Sequence, residues 1–275
     1  MKQVFKIGSS EELNPSQAVL LLEVGETYCC FGIVDHATQT LLQSGYFTSE
    51  EKDNAGILQQ VVDQHAELRS SFHQAVIGYY TPENILVPEK YYRYEETQSI
   101  LQTLYDKGQH VMISESLSAW QLYNAYYVPA GVHEFISRHF TNGNFWHVYS
   151  AALKNEMEHQ EGARLMVDFK TDSFSVILTQ DNALLLAQIF TYTNKEDVLY
   201  YLLNICKQFS LSQNEIKLEV SGLIDRESNV YKELYQYFNR IGFASHQNGL
   251  KLSESFRDYP VHFFSSLFKL VSCAL

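Results

Sequence analysis

Apolar positions along this chain follow one order of rhythms, and they follow it twice. The run Ala18-Val19-Leu20-Leu21-Leu22 is continuously apolar, as a strand covered on both faces requires, and Gly25-Glu26 breaks it at a turn. A second strand is predicted over 28–34. Asp35-His36-Ala37-Thr38 is turn chemistry, and 41–47 supplies a third strand, so the three form an antiparallel meander. Thr48 with Glu51 has the spacing of a capping box, and Ile57, Leu58, Val61, Val62 and Leu68 then recur at helical period. Another strand is expected over 74–80, with 84–88 as a short continuation.

The pattern is less regular over the next stretch. It predicts a helix over 95–106, strands over 110–114 and 120–128, and a helix opened by Pro129 that carries Val132, Phe135 and Ile136. Asn142-Gly143-Asn144 ends that helix, a strand follows over 145–149, and Ser150 caps a helix with Leu153 and Met157. The meander then returns at 165–169, 174–179 and 184–192. Thr193 with Glu196 repeats the capping box, and Val198, Leu199, Leu202, Leu203, Ile205, Cys206 and Phe209 give a broad apolar helix face. A strand over 216–220, a helix over 229–241 and an apolar segment over 261–271 complete the series. We read the last segment as core rather than as a docking helix.

Laid over each other, 18–72 and 163–209 match without a gap at a displacement of about 145 residues: Glu23 falls on Asp168, Gln43 on Gln188, Thr48 on Thr193, Glu51 on Glu196, and Ile57-Leu58 on Leu202-Leu203. The reading is an α/β fold of two related lobes, each with a mixed sheet that begins with a three-stranded meander, and a cleft between them. The acidic stretch 158–162 divides the chain into lobes 1–160 and 161–275.

Composition narrows the function classes. With 275 residues and 45% hydrophobic content, the chain can fill one large or two medium cores. Its net charge of −12, from 20 Lys and Arg against 32 Asp and Glu, repels phosphate backbones and anionic lipid, so no nucleic-acid partner is expected. The four cysteines (Cys29, Cys30, Cys206, Cys273) have no C-x-x-C spacing and read as reduced thiols. Residues 1–17 hold no signal-like apolar core and no run reaches about 18 apolar residues, so a cytoplasmic protein without membrane insertion is expected.

Phe190-x-Tyr192-x-x-x-Glu196-Asp197-x-x-Tyr200-Tyr201-x-Leu203, then Gly222-x-Ile224 and Tyr231-x-x-Leu234-x-x-Tyr237, with Leu86-Val87-Pro88 and the Ser150 helix, resemble an uncharacterised bacterial family of actin-like ATPase (ribonuclease-H-like) fold, catalogued as a domain of unknown function. The resemblance covers nearly the whole chain. It implies a nucleotide cleft in which two hairpin turns wrap the phosphates and a glycine turn in the second lobe admits adenosine. Such turns need glycine because only a backbone without side chains comes close enough to phosphate oxygens, and they need a carboxylate to position hydrated magnesium.

Carried over by position, the implied site comprises Glu23, Gly25 and Thr27 in the first turn, Asp168, Lys170 and Thr171 in the second, and Gly222. Three residues of these turns depart from the pattern. Glu26 brings a carboxylate where the triphosphate would lie; two unit charges at about 4 Å repel by roughly 4 kcal/mol at an effective dielectric of 20. Lys170 replaces a glycine, so its Cβ blocks backbone approach although its ammonium could reach a phosphate. Ser221-Gly222 is a reduced adenosine turn. We therefore expect a vestigial cleft with no cofactor, in a module that binds a protein partner or itself through an aromatic surface. The alternative is an active ATPase or phosphotransferase using ATP and magnesium through Glu23 and Asp168.

No G-x-S-x-G, G-x-x-x-x-G-K or G-x-G-x-x-G motif occurs, and His133 and His139 stand six apart, off a common helix face, so no metal site is expected. A ribonuclease-H-like nuclease using the same carboxylates conflicts with the negative charge. The 19 tyrosines and 17 phenylalanines include the pairs Tyr79-Tyr80, Tyr91-Tyr92, Tyr126-Tyr127 and Tyr200-Tyr201. Neighbours in such pairs cannot all face one core, so some are expected at the surface.

Overall fold

A computed structural model describes residues 1–8, 13–50, 54–105, 108–154, 162–245 and 250–274. The chain divides into two compact units, one of Met1–Glu156 with Asn248–Asp258 and Leu267–Leu275, the other of Met157–Gln247 with Tyr259–Ser266.

In the first unit, β1 (Lys2–Ile7), β2 (Ala18–Val24), β3 (Tyr28–Asp35) and β4 (Thr40–Thr48) precede α1 (Asn54–Gln64) and β5 (Gln74–Tyr79). Then come β6 (Asn84–Pro88), α2 (Tyr94–Tyr105), β7 (His110–Leu117), β8 (Leu122–Pro129), α3 (Ala130–His139), β9 (Gly143–His147) and α4 (Val148–Lys154). The main sheet runs β1-β4-β3-β2-β5-β9, and β6-β8-β7 form a separate small sheet. All seven residues of β2 are buried, as the unbroken apolar run predicts for a strand held between antiparallel β3 and parallel β5. Ile57, Leu58, Val61 and Val62 of α1 pack into a core with Leu20, Leu22, Phe31, Ile33 and Phe47.

The second unit holds β10 (Ala163–Phe169), β11 (Ser173–Gln180), β12 (Ala183–Thr191), α5 (Lys195–Gln208), β13 (Lys217–Gly222), α6 (Asn229–Tyr237) and β14 (Ile241–Phe243), in the sheet order β12-β11-β10-β13-β14. That is the order β4-β3-β2-β5-β9 of the first unit. In both, three antiparallel strands are followed by two parallel ones. Val198, Leu202 and Ile205 of α5 and Leu234 of α6 cover this sheet beside Leu165, Val176 and Val220.

The chain then returns to the first unit. β15 (Lys251–Leu252) pairs in parallel with β4, and the C-terminal end of α7 (Ser265–Val271) packs there, Leu267 against Gly32 and Leu270 against Gly78. A single boundary near residue 160 does not capture this return. The apolar segment over 261–271 supplies core, with Phe264, Leu267, Phe268, Leu270 and Val271 all buried.

Other expectations shift. The capping box of α5 forms one residue later, Asn194 with Asp197, because the Asp197 carboxylate also takes the Thr193 N–H and hydroxyl. Glu51 of the first capping box, Met157 and residues 158–161 of the proposed boundary lie outside the described residues. Ser150 lies inside α4, not at its cap, and accepts from the Asn124 side-chain amide at 3.1 Å. The helix expected to reach 241 ends at Tyr237, which frees Ile241–Phe243 for β14. β6 joins the small sheet rather than extending β5. Tyr79, Tyr80, Tyr126 and Tyr127 are all buried: Tyr126 and Tyr127 enter different cores on the two faces of β8, and Tyr80, just past β5, packs edge-on against Tyr28. Tyr91 and Tyr200 are exposed.

Candidate functional site

The two hairpin turns are built alike. The Gly25 N–H donates to the Tyr28 carbonyl at 3.0 Å, and at the equivalent turn the Lys170 N–H donates to the Ser173 carbonyl at 2.8 Å. Glu23, two residues before the first turn, pairs across the sheet with Cys30 and Gly78; Asp168, two before the second, pairs with Ser175 and Ser221. The shared strand order thus puts one carboxylate at the same point of each sheet, at the end of the strand beside its parallel neighbour. What surrounds the two carboxylates differs.

In the first unit Glu23 is fully buried and accepts from the Tyr28 hydroxyl at 2.5 Å. Tyr28 stacks on Tyr46 at 5.2 Å and meets Tyr80 edge-on at 5.5 Å. Burial, and then the Glu23 carboxylate, hold the Tyr28 hydroxyl well above the usual phenol range, so it stays a donor. Gly25 is buried beneath that ring: a Cβ there would lie 2.2 Å from a Tyr28 ring carbon. The glycine is required by the chain's own tyrosine. Glu26 is exposed, and half-buried Thr27 offers its carbonyl to the Ser49 N–H at 2.8 Å.

In the second unit Asp168 lies 2.8 Å through Oδ1 from the Lys170 ammonium, while Oδ2 accepts from the Ser221 hydroxyl at 2.8 Å. The side chains of Lys170 and Asp168 are only 4% and 7% exposed, so the lysine is folded inward onto the carboxylate. The Lys170 carbonyl accepts from the Tyr192 hydroxyl, and Thr171 is exposed at the tip of the turn. Gly222 has φ +78°, and a Cβ there would lie 2.2 Å from the Phe169 carbonyl oxygen. That carbonyl accepts from the Leu223 N–H at 2.8 Å, so Gly222 lets β13 close against the end of β10. The structure therefore gathers Glu23, Gly25 and Thr27 at one turn, and Asp168, Lys170 and Gly222 at the other.

Sequence reasoning missed Tyr28 and the part played by Ser221. The available signal was position: a large ring directly after a glycine turn can fold back over it. It also missed a third buried carboxylate, Glu115 on β7, which accepts from the Tyr126 hydroxyl at 2.5 Å and the His147 N–H at 2.7 Å. Burial raises Glu115 to about 7 against its hydrogen bonds from Ser150, Tyr126 and His147. His147 is buried too; its Nδ1 accepts from the Tyr149 N–H at 3.1 Å, so Nε2 donates to the Thr81 carbonyl at 2.9 Å, and burial lowers it to about 4. His133 bonds the Tyr79 hydroxyl and His139 a backbone carbonyl. Among the described residues no three His, Cys, Asp or Glu side chains gather to hold a metal ion, the four cysteines are buried and outside any disulfide, and no helix is long and apolar enough to cross a membrane.

The chain belongs to the family described as "Protein of unknown function (DUF3822)", which matches residues 9–241. No curated protein matches it. Among solved structures it is similar to a Bacteroides thetaiotaomicron protein with actin-like ATPase fold and unknown function, at 14% identity and TM-score 0.73, over 95% of this chain and 99% of that one. It is also similar to a structure of the PilM–PilN type IV pilus biogenesis complex, at 11% identity and TM-score 0.61, over 94% and 99%. Ethanolamine utilization protein EutJ from Carboxydothermus hydrogenoformans follows at 8% identity and TM-score 0.51, over 96% and 93%. The fold is the actin-like ATPase fold.

Proposed function

We propose that this protein is a binding or scaffold module of actin-like ATPase fold whose nucleotide chemistry has been replaced by internal contacts. The observation that carries the reading is the Lys170–Asp168 pair. A divalent cation is held by free carboxylate oxygens and water, whereas here an ammonium stands 2.8 Å from one oxygen of Asp168 and the Ser221 hydroxyl holds the other. The first turn supports it, because the Tyr28 ring lies against Gly25 where a phosphate would need bare backbone. Glu26 adds a negative charge to the same turn. The PilM–PilN neighbour is, by its description, a protein complex, which accords with partner recognition on this fold.

The test is thermal unfolding with millimolar Mg-ATP. A ligand present at 100 times its dissociation constant adds about 2.7 kcal/mol, which moves the midpoint of a chain this size by several degrees. No shift is expected. A reproducible rise, together with ATP turnover that Asp168→Ala abolishes in a folded protein, would establish instead an ATPase or phosphotransferase using ATP and magnesium.

A further inference from the structure

The two copies of the meander end on different terms. In the first unit the outer edge of β4 is covered by β1, which pairs with it antiparallel from Lys2 against Thr48 to Ile7 against Ser44, and by β15. The equivalent strand of the second unit, β12, is the terminal strand of its sheet, and no described strand pairs with its outer side. On an edge strand, alternate residues turn backbone N–H and C=O groups outward, and natural edges are guarded by charge, proline, brevity or irregularity. Three other edges follow that rule: β1 carries Lys2, Lys6 and a bulge, β6 ends in Pro88, and β14 has three residues. β12 reads Ala-Leu-Leu-Leu-Ala-Gln-Ile-Phe-Thr over nine residues, with no charge, proline or glycine. Its one irregularity lies at the start, between Leu184 and Leu186, and leaves 186–191 regularly paired with β11.

Apolar surface continues from this edge. Phe190 of β12 lies 4.5 Å from the Tyr201 ring, and Tyr201 lies 5.6 Å from Tyr200, which is 65% exposed. A strand pair alone falls short of the roughly 1,200 Å² that stable complexes bury, and an exposed tyrosine beside it supplies the kind of anchor that carries binding energy.

We propose that the β12 edge, with Tyr200, is the surface by which two copies of this chain pair, β12 antiparallel to β12 about a two-fold axis. The second copy is the occupant the observations favour. An uncharged strand offers nothing to select an acidic or basic peptide, whereas Leu186, Ile189 and Phe190 suit their own kind across a two-fold. Two chains of net charge −12 repel, so they meet best along a strip that brings no like charges opposite each other. The antiparallel sense is the one β1 already uses on β4. This deepens the scaffold reading by naming a partner, and it is independent of nucleotide, so its failure leaves the Mg-ATP result standing.

Sedimentation velocity from about 1 to 100 µM, a range that spans micromolar affinity, tests the pairing. The wild-type protein is expected to dimerise. Gln188→Lys with Thr191→Lys, both at exposed positions, should give a monomer with unchanged melting, and Tyr200→Ala should weaken association at least about tenfold. Hydrogen exchange on the wild-type protein is the control that needs no variant: β12 amides should become more protected as concentration rises. A monomer throughout, a dimer indifferent to the strand substitutions, or association without added protection of β12 would each overturn the proposal.

Discussion

The turns after β2 and β10 occupy the same place in the same sheet plan, and each follows a carboxylate that the strand end has buried. The first unit meets that carboxylate with a phenol from its own hairpin, and the turn glycine survives because the phenol's ring must lie over it. The second meets it with an ammonium from the turn itself, and the glycine is gone. Gly25 is therefore explained by the chain's own packing, without reference to a ligand. The two turns have diverged toward one end, a carboxylate satisfied from within.

If that comparison is right, the largest effect should come from Lys170→Met, which takes the ammonium from a buried carboxylate and should cost about 3–5 kcal/mol in urea unfolding. Adding Asp168→Asn should recover most of the loss, and a double variant as unstable as the single one would break the argument. Next, Glu115 sharpens the contrast, because among the described residues it has neutral donors and no paired cation. Raised from about 4.5 to about 7, it holds its proton in the folded chain where the unfolded chain has released it. Stability from Glu115 is full below about pH 4.5 and falls by about 1.4 kcal/mol per unit as pH rises toward 7, a loss of order 3 kcal/mol. His147 works oppositely: lowered from 6.5 to about 4, its contribution is full above pH 6.5 and is lost as pH falls toward 4. The two slopes offset each other between about pH 4.5 and 6.5. Glu115→Gln keeps an acceptor for Tyr126 and should gain up to about 3 kcal/mol over the wild-type chain at pH 8, with little gain at pH 4; equal melting at both pH values would remove Glu115 as the titrating group. The smallest effect is expected at the first turn. Gly25→Ala should cost about 1–3 kcal/mol through contact with the Tyr28 ring, and the cost should shrink in a Tyr28→Ala background.

The architecture was legible because it is written in periodicity. The unbroken apolar run of β2, the meander that follows and the helix face of α5 each reappear where the pattern placed them. What escaped was written in pairing. β1 and β14 are short or lightly patterned strands held by neighbours far along the chain, and β15 is two residues whose only signal is their partner on β4. Position was legible: Glu23, Asp168 and Lys170 stand at matching places of two sheets with one strand order. Direction was not. A lysine in a turn reads equally as a hand held outward or as a counter-ion, and only the neighbouring carboxylate, buried with it, decides between them. Glu115 lacked even that signal, since its partner His147 stands on a strand of the other sheet, 32 residues along the chain.

The return of α7 bears on synthesis. Leu267 and Leu270 fill the spaces over Gly32 and Gly78, yet the ribosome delivers them only after every strand of the second unit has been made. The part translated first is thus completed last. Until Leu267 and Leu270 arrive, the sheet of the first unit lacks the apolar side chains that cover it at Gly32 and Gly78.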